Sequence, residues 1–138
     1  MQRFNNFFIK FAVANNIGYD KKDEFKQLFE RLRLDEIKEE MLSEEIFDCA
    51  INLGEDTAVS LLQNAYNILI VKGSKLNVTS IMDDETIKSI NSYKKPLELF
   101  VWLNMNQAFH YKHTEKSDLH KWINNRVIKQ LKDYFETH

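Results

Sequence analysis

Two pairs of side chains are spaced so that each pair lies on one face of a predicted helix. Asp48 and Asn52 are four residues apart, and so are Trp122 and Arg126. The first pair could line a groove and hydrogen-bond a ligand, or it could cap and close its own helix. The tryptophan could stack on a sugar ring, or it could pack against the arginine as a structural cation–π pair. The spacing therefore predicts two binding surfaces, each with a structural alternative.

Other reactive side chains lack the partners that metal binding or catalysis requires. His110, His113 and His120 come without the carboxylate or the His-Glu-x-x-His pattern of a helical metal site. The chain has no Gly-rich phosphate loop and no Gly-x-Ser-x-Gly element. Cys49 is the only cysteine and lies in an apolar run, which predicts a small buried side chain and excludes an intrachain disulfide. We therefore expect no metal and no other cofactor.

The composition is that of one helical domain. Of the 138 residues, 43% are hydrophobic and 29% charged, and three Gly with one Pro leave few helix breaks. Residues 1–93 hold 11 Lys/Arg and 16 Asp/Glu, a net charge of −5, whereas residues 94–138 hold 8 and 5, a net charge of +3. Such a mild basic bias is typical of a solvated helix, so nucleic acid is not an expected partner. No stretch reaches the ~20 apolar residues of a membrane span. Without a recognisable signal peptide, the default compartment is the cytoplasm.

Apolar residues recur at three- and four-residue spacing, which predicts a single compact all-α domain of six or seven helices. Gly18 should end the first helix or turn the chain, and Ser43 should cap the third helix, with Glu45 in its first turn. Pro96 suits the start of a long helix. Residues 71–82 break the pattern and are predicted to form a loop or a short β-like arm. The first helix carries an apolar stripe, which predicts core or, alternatively, a partner surface: Phe4, Phe7, Phe8 and Phe11.

Four blocks, in order along the chain, resemble a family of bacterial and phage cell-wall muramidases, glycoside hydrolases that include the secretion activator proteins. Residues 47–54, Phe-Asp-Cys-Ala-Ile-Asn-Leu-Gly, are similar to the family's Phe-Asp-x-Ala-Val-Asn-x-Gly. They are followed by residues 58–63, which resemble Ala-Val-x-x-Leu-Gln. Residues 78–91 keep the valine, threonine and asparagine of a third family block, and residues 122–127 resemble Gly-Trp-x-x-Arg-Val. Residues 4–19 match the apolar helix that leads to the family's catalytic Glu-Gly-Gly-Tyr.

The resemblance implies that the catalytic acid is missing. Residues 16–19 read Asn-Ile-Gly-Tyr, so Asn16 stands where the family has its glutamate, and the long cleft-forming stretch that follows is absent. An amide cannot donate a proton to a leaving oxygen at useful pH. The domain 1–138 would then combine a shortened remnant of the catalytic part, 1–42, with a peptidoglycan-binding-like part, 43–138. The expected binding residues are Asn16, Tyr19, Asp48, Asn52, Gln63, Trp122 and Arg126.

Three functions follow as hypotheses. The first is a pseudoenzyme that binds peptidoglycan glycan, or another partner, in the old substrate groove without cleaving it. The second is an active muramidase that uses a displaced carboxylate, for which Asp20, Asp23 and Glu24 are the nearest residues. The third is a helical interaction module of phage origin that binds a protein. A holin-type route could carry a phage protein to the wall without a signal peptide. The sequence does not predict the oligomeric state.

Overall fold

The computed structural model describes residues 2–112 and 122–137 and contains seven α-helices within them. A π-helical turn, Ile123–Val127, leads directly into the last helix, and 3₁₀ turns at Tyr19–Lys21 and Leu34–Glu36 precede the second and third. The described residues include no strand, so the all-α prediction is confirmed and residues 70–83 form an irregular loop. The helices are α1 (Gln2–Asn15), α2 (Lys22–Arg31), α3 (Glu40–Leu53), α4 (Glu55–Leu69), α5 (Asp84–Ser92), α6 (Pro96–Lys112) and α7 (Ile128–Thr137).

The apolar stripe of α1 packs inward against α2 and α3. The ring of Phe4 lies 5.4 Å from that of Phe29 and 6.3 Å from that of Phe47, and Phe7 lies 6.0 Å from each of the same two rings. Aromatic pairs of this kind add about 0.5–1.5 kcal/mol each beyond the burial of their area. All four phenylalanines of the stripe are buried. The stripe is therefore core, and its alternative as an exposed partner surface is wrong.

The central helix is α3, which packs against α1, α4 and α6. It begins at Glu40. The preceding residue, Glu39, caps the helix, because its side chain accepts a hydrogen bond from the Met41 amide at 3.4 Å. The prediction that Ser43 caps this helix is wrong. Ser43 lies inside the helix, fully buried, and its hydroxyl donates to the Leu34 carbonyl at 2.8 Å. The earlier start moves Glu45 out of the first turn and into the buried middle of α3.

The end of α1 is formed by Asn16. Of the two predictions for Gly18, that it ends the helix is wrong, whereas the chain does turn there, since the Gly18 carbonyl accepts from the Lys21 amide at 3.2 Å. Asn16 adopts a left-handed backbone with φ of 54°, and the Ile17 amide donates to the Ala12 carbonyl at 2.9 Å, five residues back. This is the pattern of a Schellman turn, which asparagine tolerates better than most residues. Gly18 has a φ of −80° and an extended backbone. The residue at position 16 thus has a conformational role that the spacing alone does not reveal.

The predicted start of α6 at Pro96 is confirmed, and two further helix boundaries have local causes. Gly54 ends α3 with a φ of 97°. Asp83 caps α5, since its carboxylate accepts from the Thr86 amide at 2.8 Å, and Pro96 is the first residue of α6. Among the helices of the described residues, none combines the length and the apolar character needed to cross a bilayer.

Candidate functional site

Two carboxylates of α3 are buried side by side. Glu45 is fully buried and Asp48 is 4% exposed, and their spacing of three residues puts them on one face of the helix. The neighbouring Glu44 instead reaches outward and lies 3.5 Å from the Lys10 ammonium group. Carboxylates are almost never fully buried unless they are paired. The Glu45–Asp48 pair is therefore a candidate for a functional site.

Side chains from two other elements surround this pair. Gln107 of α6 donates to Glu45 Oε1 at 2.7 Å, and Arg126 of the π turn donates to Glu45 Oε2 at 3.0 Å. Gln130 of α7 also donates to Glu45 Oε2, and the Arg126 guanidinium forms an ion pair with Asp48. Two predicted site residues, Asp48 and Arg126, thus meet from opposite halves of the chain. We refer to these five residues as the α3 carboxylate cluster.

The α3 carboxylate cluster contains two carboxyl groups and one guanidinium group. Burial raises the pKa of Asp48 to about 7, although the attraction of Arg126 acts in the opposite direction. Burial also acts to lower the pKa of Arg126, but the attraction of Asp48 and Glu45 outweighs it, and the net pKa is raised. The guanidinium therefore stays charged, and the raised pKa brings the ionisation of Asp48 close to neutral pH.

The α3 carboxylate cluster is closed to substrates in this conformation. A glycosidase acid must reach the leaving oxygen of a bound sugar, which requires an open cleft beside the carboxyl group. Glu45 has no exposed surface, and both carboxylates are covered by Arg126 and its neighbours. The pKa of Asp48 would suit an acid catalyst, but its position would not. The cluster therefore joins elements and does not contact a ligand in this conformation.

A surface groove of about 460 Å³ lies between α4, α6 and the loop 70–83. Asn64 is exposed, and Phe109 presents an apolar ring that is 55% exposed. Lys75 brings a positive charge from the loop. None of the lining residues is an aspartate or a glutamate. We call this the α4–α6 groove, and its lining residues are Leu61, Asn64, Asn67, Ile68, Lys75, Asn106, Phe109 and His110.

Two side chains of α4 position the loop that forms one wall of the α4–α6 groove. Asn67 accepts from the Leu76 amide at 2.8 Å and donates to the Leu76 carbonyl at 2.9 Å. One turn earlier, Gln63 is fully buried, and its amide donates to Thr86 Oγ1 at 3.0 Å. Gln63 also accepts from the Thr79 and Ser80 amides at 3.1 and 3.2 Å. The irregular loop is thus held in place by side chains, because it has no backbone ladder of its own.

The structure separates the other predicted site residues. Gln63 is engaged by the loop and has no exposed surface for a ligand. Asn52 is exposed on α3, whereas Asp48, four residues earlier, is buried, so the two do not line one groove. Trp122 is buried with its ring 5.5 Å from that of Tyr111.

The remaining predictions concern the turn after α1 and the histidines. Asn16 and Tyr19 are exposed, and the Tyr19 ring lies 5.8 Å from that of Phe8. His110 lines the α4–α6 groove, while His113 and His120 lie outside the described residues. Within residues 2–112 and 122–137, no three His, Cys, Asp or Glu side chains are grouped to hold a metal ion.

Sequence reasoning missed Glu45 and the residues of the α4–α6 groove. Glu45 looked like a first-turn charge because Ser43 is a good cap by type. The groove had a weak local signal, since Asn64 and Asn67 are three residues apart on α4, as are Asn106 and Phe109 on α6. Their meeting across two helices depends on how α4 packs on α6.

No family model, no curated protein and no solved structure matches this chain.

Proposed function

We propose that the protein is a muramidase-like pseudoenzyme that binds cell-wall glycan in the α4–α6 groove and does not cleave it. The observation that carries this proposal is the chemistry of the groove lining. It combines the exposed Asn64 amide, one exposed aromatic ring and a lysine, and it contains no carboxylate; the Asn67 amide holds the loop, and Asn106 donates to the Leu61 carbonyl. Binding sites for small polar ligands pair apolar surface with a few convergent polar groups.

Each part of the lining matches a part of an N-acetylated wall sugar. Amides such as Asn64 can both donate to and accept from hydroxyl and acetamido groups. The Phe109 ring offers a flat surface to the apolar face of a pyranose. Lys75 could pair with the lactyl carboxylate of a muramic acid residue. These contacts would hold a glycan chain along the surface without the carboxylic acid that glycosidases use to protonate the bond between two sugars.

The positions of the carboxylates support the proposal that the protein does not cleave glycan. Hydrolysis requires a carboxylic acid at the scissile bond. The nearest replacements in the sequence, Asp20, Asp23 and Glu24, are exposed, and Glu24 lies 3.8 Å from the Lys21 ammonium group. A muramidase with a displaced acid would need one of them in a groove with Asp48 and Asn52. The buried position of Asp48 gives that alternative no support.

A second candidate function is a helical protein-interaction module. The observation that favours it is a shallow apolar pocket of about 370 Å³ on α7, where Ile128 is 43% and Leu131 44% exposed. A protein partner could cover this face. The two candidates differ in which surface binds, so variants of the α4–α6 groove distinguish them.

Co-sedimentation with purified sacculi tests the proposal, combined with a turbidity assay on the same sacculi. We expect the protein to bind sacculi and to leave their turbidity unchanged. Lys75→Glu should weaken binding about tenfold at low salt, because it replaces an attraction by a repulsion. Lys72→Glu is the matched control, since Lys72 is an exposed lysine of the same loop that does not line the groove.

Phe109→Ala separates stacking from charge. Loss of the ring should weaken binding about three- to tenfold at any salt concentration. The matched control is Met105→Ala, one turn earlier on α6 and 40% exposed but outside the groove lining.

No sacculus binding by the wild-type protein, or equal losses in the groove variants and their controls, would overturn the glycan proposal. Clearing of the sacculi would overturn the pseudoenzyme proposal. A single protein captured through Leu131, with no sacculus binding, would favour the second candidate.

A further inference from the structure

We propose that the α3 carboxylate cluster is a proton-dependent latch, which docks the C-terminal residues 122–137 onto α3 and α6 and loosens as the pH rises through neutrality. This is a conformational device separate from glycan binding. It rests on three features of the cluster: its contacts, its charges and its unsatisfied polar atoms.

The contacts connect the C-terminal residues to the body of the domain at a few points. Arg126 and Gln130 both reach Glu45 of α3, and Arg126 also reaches Asp48. Four residues before Arg126, the Trp122 ring packs on Tyr111 of α6. Asp48 and Glu45 are covered by groups that belong to the C-terminal residues, so undocking would return both carboxylates to water.

The charges that face Asp48 in the described residues make the docked state sensitive to one proton. Glu44 and Glu45 on α3 repel its negative charge, and Arg126 attracts it. From α6 the cluster receives Gln107, which is neutral, and from α1 Lys10 is paired with Glu44. The adjacent Cys49 thiol has a raised pKa and stays neutral. With Asp48 protonated, one guanidinium balances Glu45; with Asp48 ionised, two buried carboxylates share one cation.

Two groups of the C-terminal residues also keep an unsatisfied polar atom in the docked state. These atoms are Arg126 Nε, a donor, and Gln130 Oε1, an acceptor, whereas Asp48 Oδ2 is engaged in the ion pair with Arg126. Each buried polar atom without a hydrogen bond costs free energy, so one additional buried charge can weaken docking.

The direction of the pH effect follows from the linkage between proton binding by Asp48 and docking of the C-terminal residues. Burial raises the pKa of Asp48 to about 7 in the docked state, and exposure on undocking would return it toward its ordinary value near 3.9. A raised acid pKa favours the docked state at low pH, and this contribution is lost as the pH rises through about 7. Between about pH 6 and about pH 8, the docking equilibrium constant should fall about tenfold.

Hydrogen exchange measured by mass spectrometry tests the latch in the full-length protein. After correction for intrinsic exchange, protection of residues 122–137 should fall about tenfold between about pH 6 and about pH 8, while protection of α3 and α4 stays unchanged. Asp48→Asn should remove the pH dependence and keep the C-terminal residues protected at the higher pH. Asp56→Asn is the matched control, because Asp56 is an exposed aspartate of α4 outside the cluster, and it should retain the pH dependence.

A second measurement keeps the proposal testable if the Asp48→Asn protein folds poorly. In a Trp102→Phe variant, Trp122 is the sole tryptophan, and its fluorescence should titrate with a midpoint near pH 7. A C-terminal protection that is constant with pH, or that changes equally in the Asp48→Asn protein, would overturn the latch. The absence of a fluorescence midpoint between about pH 5 and about pH 8.5 would overturn it as well.

Discussion

Replacement of Arg126 by methionine would remove the only described cation that contacts Glu45 and Asp48. Methionine has an unbranched apolar side chain similar to the aliphatic part of arginine. The change therefore removes charge and hydrogen bonds with little loss of packing. Both carboxylates would then lie buried without a counter-ion. Loss of one partner from a buried ion pair destabilises a protein far more than loss of a surface pair does.

The magnitude depends on burial and on pH. Breaking a buried ion pair decreases the free energy of unfolding by about 3–5 kcal/mol. The Arg126 side chain is 23% exposed, and water partly screens it, so we expect the lower end, about 3 kcal/mol, at about pH 8. At about pH 5.5 Asp48 is protonated in the folded state, and only Glu45 loses its partner. The loss should then be about 1–2 kcal/mol smaller.

Urea unfolding followed by circular dichroism, at the two pH values, measures both losses. Lys129→Met is the matched control, because Lys129 is an exposed cation three residues further along the chain; it should change stability by less than about 0.5 kcal/mol. A loss below about 1 kcal/mol for Arg126→Met at the higher pH would show that the ion pair does not hold the cluster together. A loss that is the same at both pH values would show that Asp48 does not titrate there.

Three further outcomes follow from the fold. Phe47→Ala should decrease the free energy of unfolding by about 3–5 kcal/mol in urea titration, since Phe47 is fully buried among the rings of α1 and α2. Gln63→Ala should decrease it by about 2–3 kcal/mol and increase hydrogen exchange of the loop 70–83, because the loop amides lose their acceptor. Asn16→Gly should preserve or raise the melting temperature, whereas Asn16→Glu should decrease the free energy of unfolding by about 1 kcal/mol and produce no sacculus lysis. An unchanged melting temperature for Asn16→Glu, or lysis by it, would contradict the last prediction.

Much of the helical framework could be predicted because its signals are local. The stripe of α1 depends on residues three and four apart, and the start of α6 on the fixed backbone of Pro96. Each of these acts over a few residues, so the sequence alone was enough. The loop 70–83 was predictable for the opposite reason, since its apolar residues have no helical period.

The candidate sites could be predicted only in part because they depend on packing. Asp48 and Arg126 were each singled out from spacing, but their ion pair joins α3 to the residues before α7. Glu45 was misplaced because a good cap type, Ser43, stands just before it, while the actual cap is Glu39. A helix at the centre of a bundle buries most of its surface, so its polar residues cannot be assigned to solvent by type.

The structure gives a conformational reason for an asparagine at position 16. A left-handed residue at the end of a helix selects for glycine or asparagine by conformation alone. Asn16 occupies that position with a φ of 54°. The backbone conformation is therefore enough to explain an asparagine there, without reference to catalysis. A glutamate at the same place would need a different end to α1. The proposal of a non-cleaving protein therefore depends less on Asn16 than on the lining of the α4–α6 groove, which brings together amides and a lysine and no carboxylate.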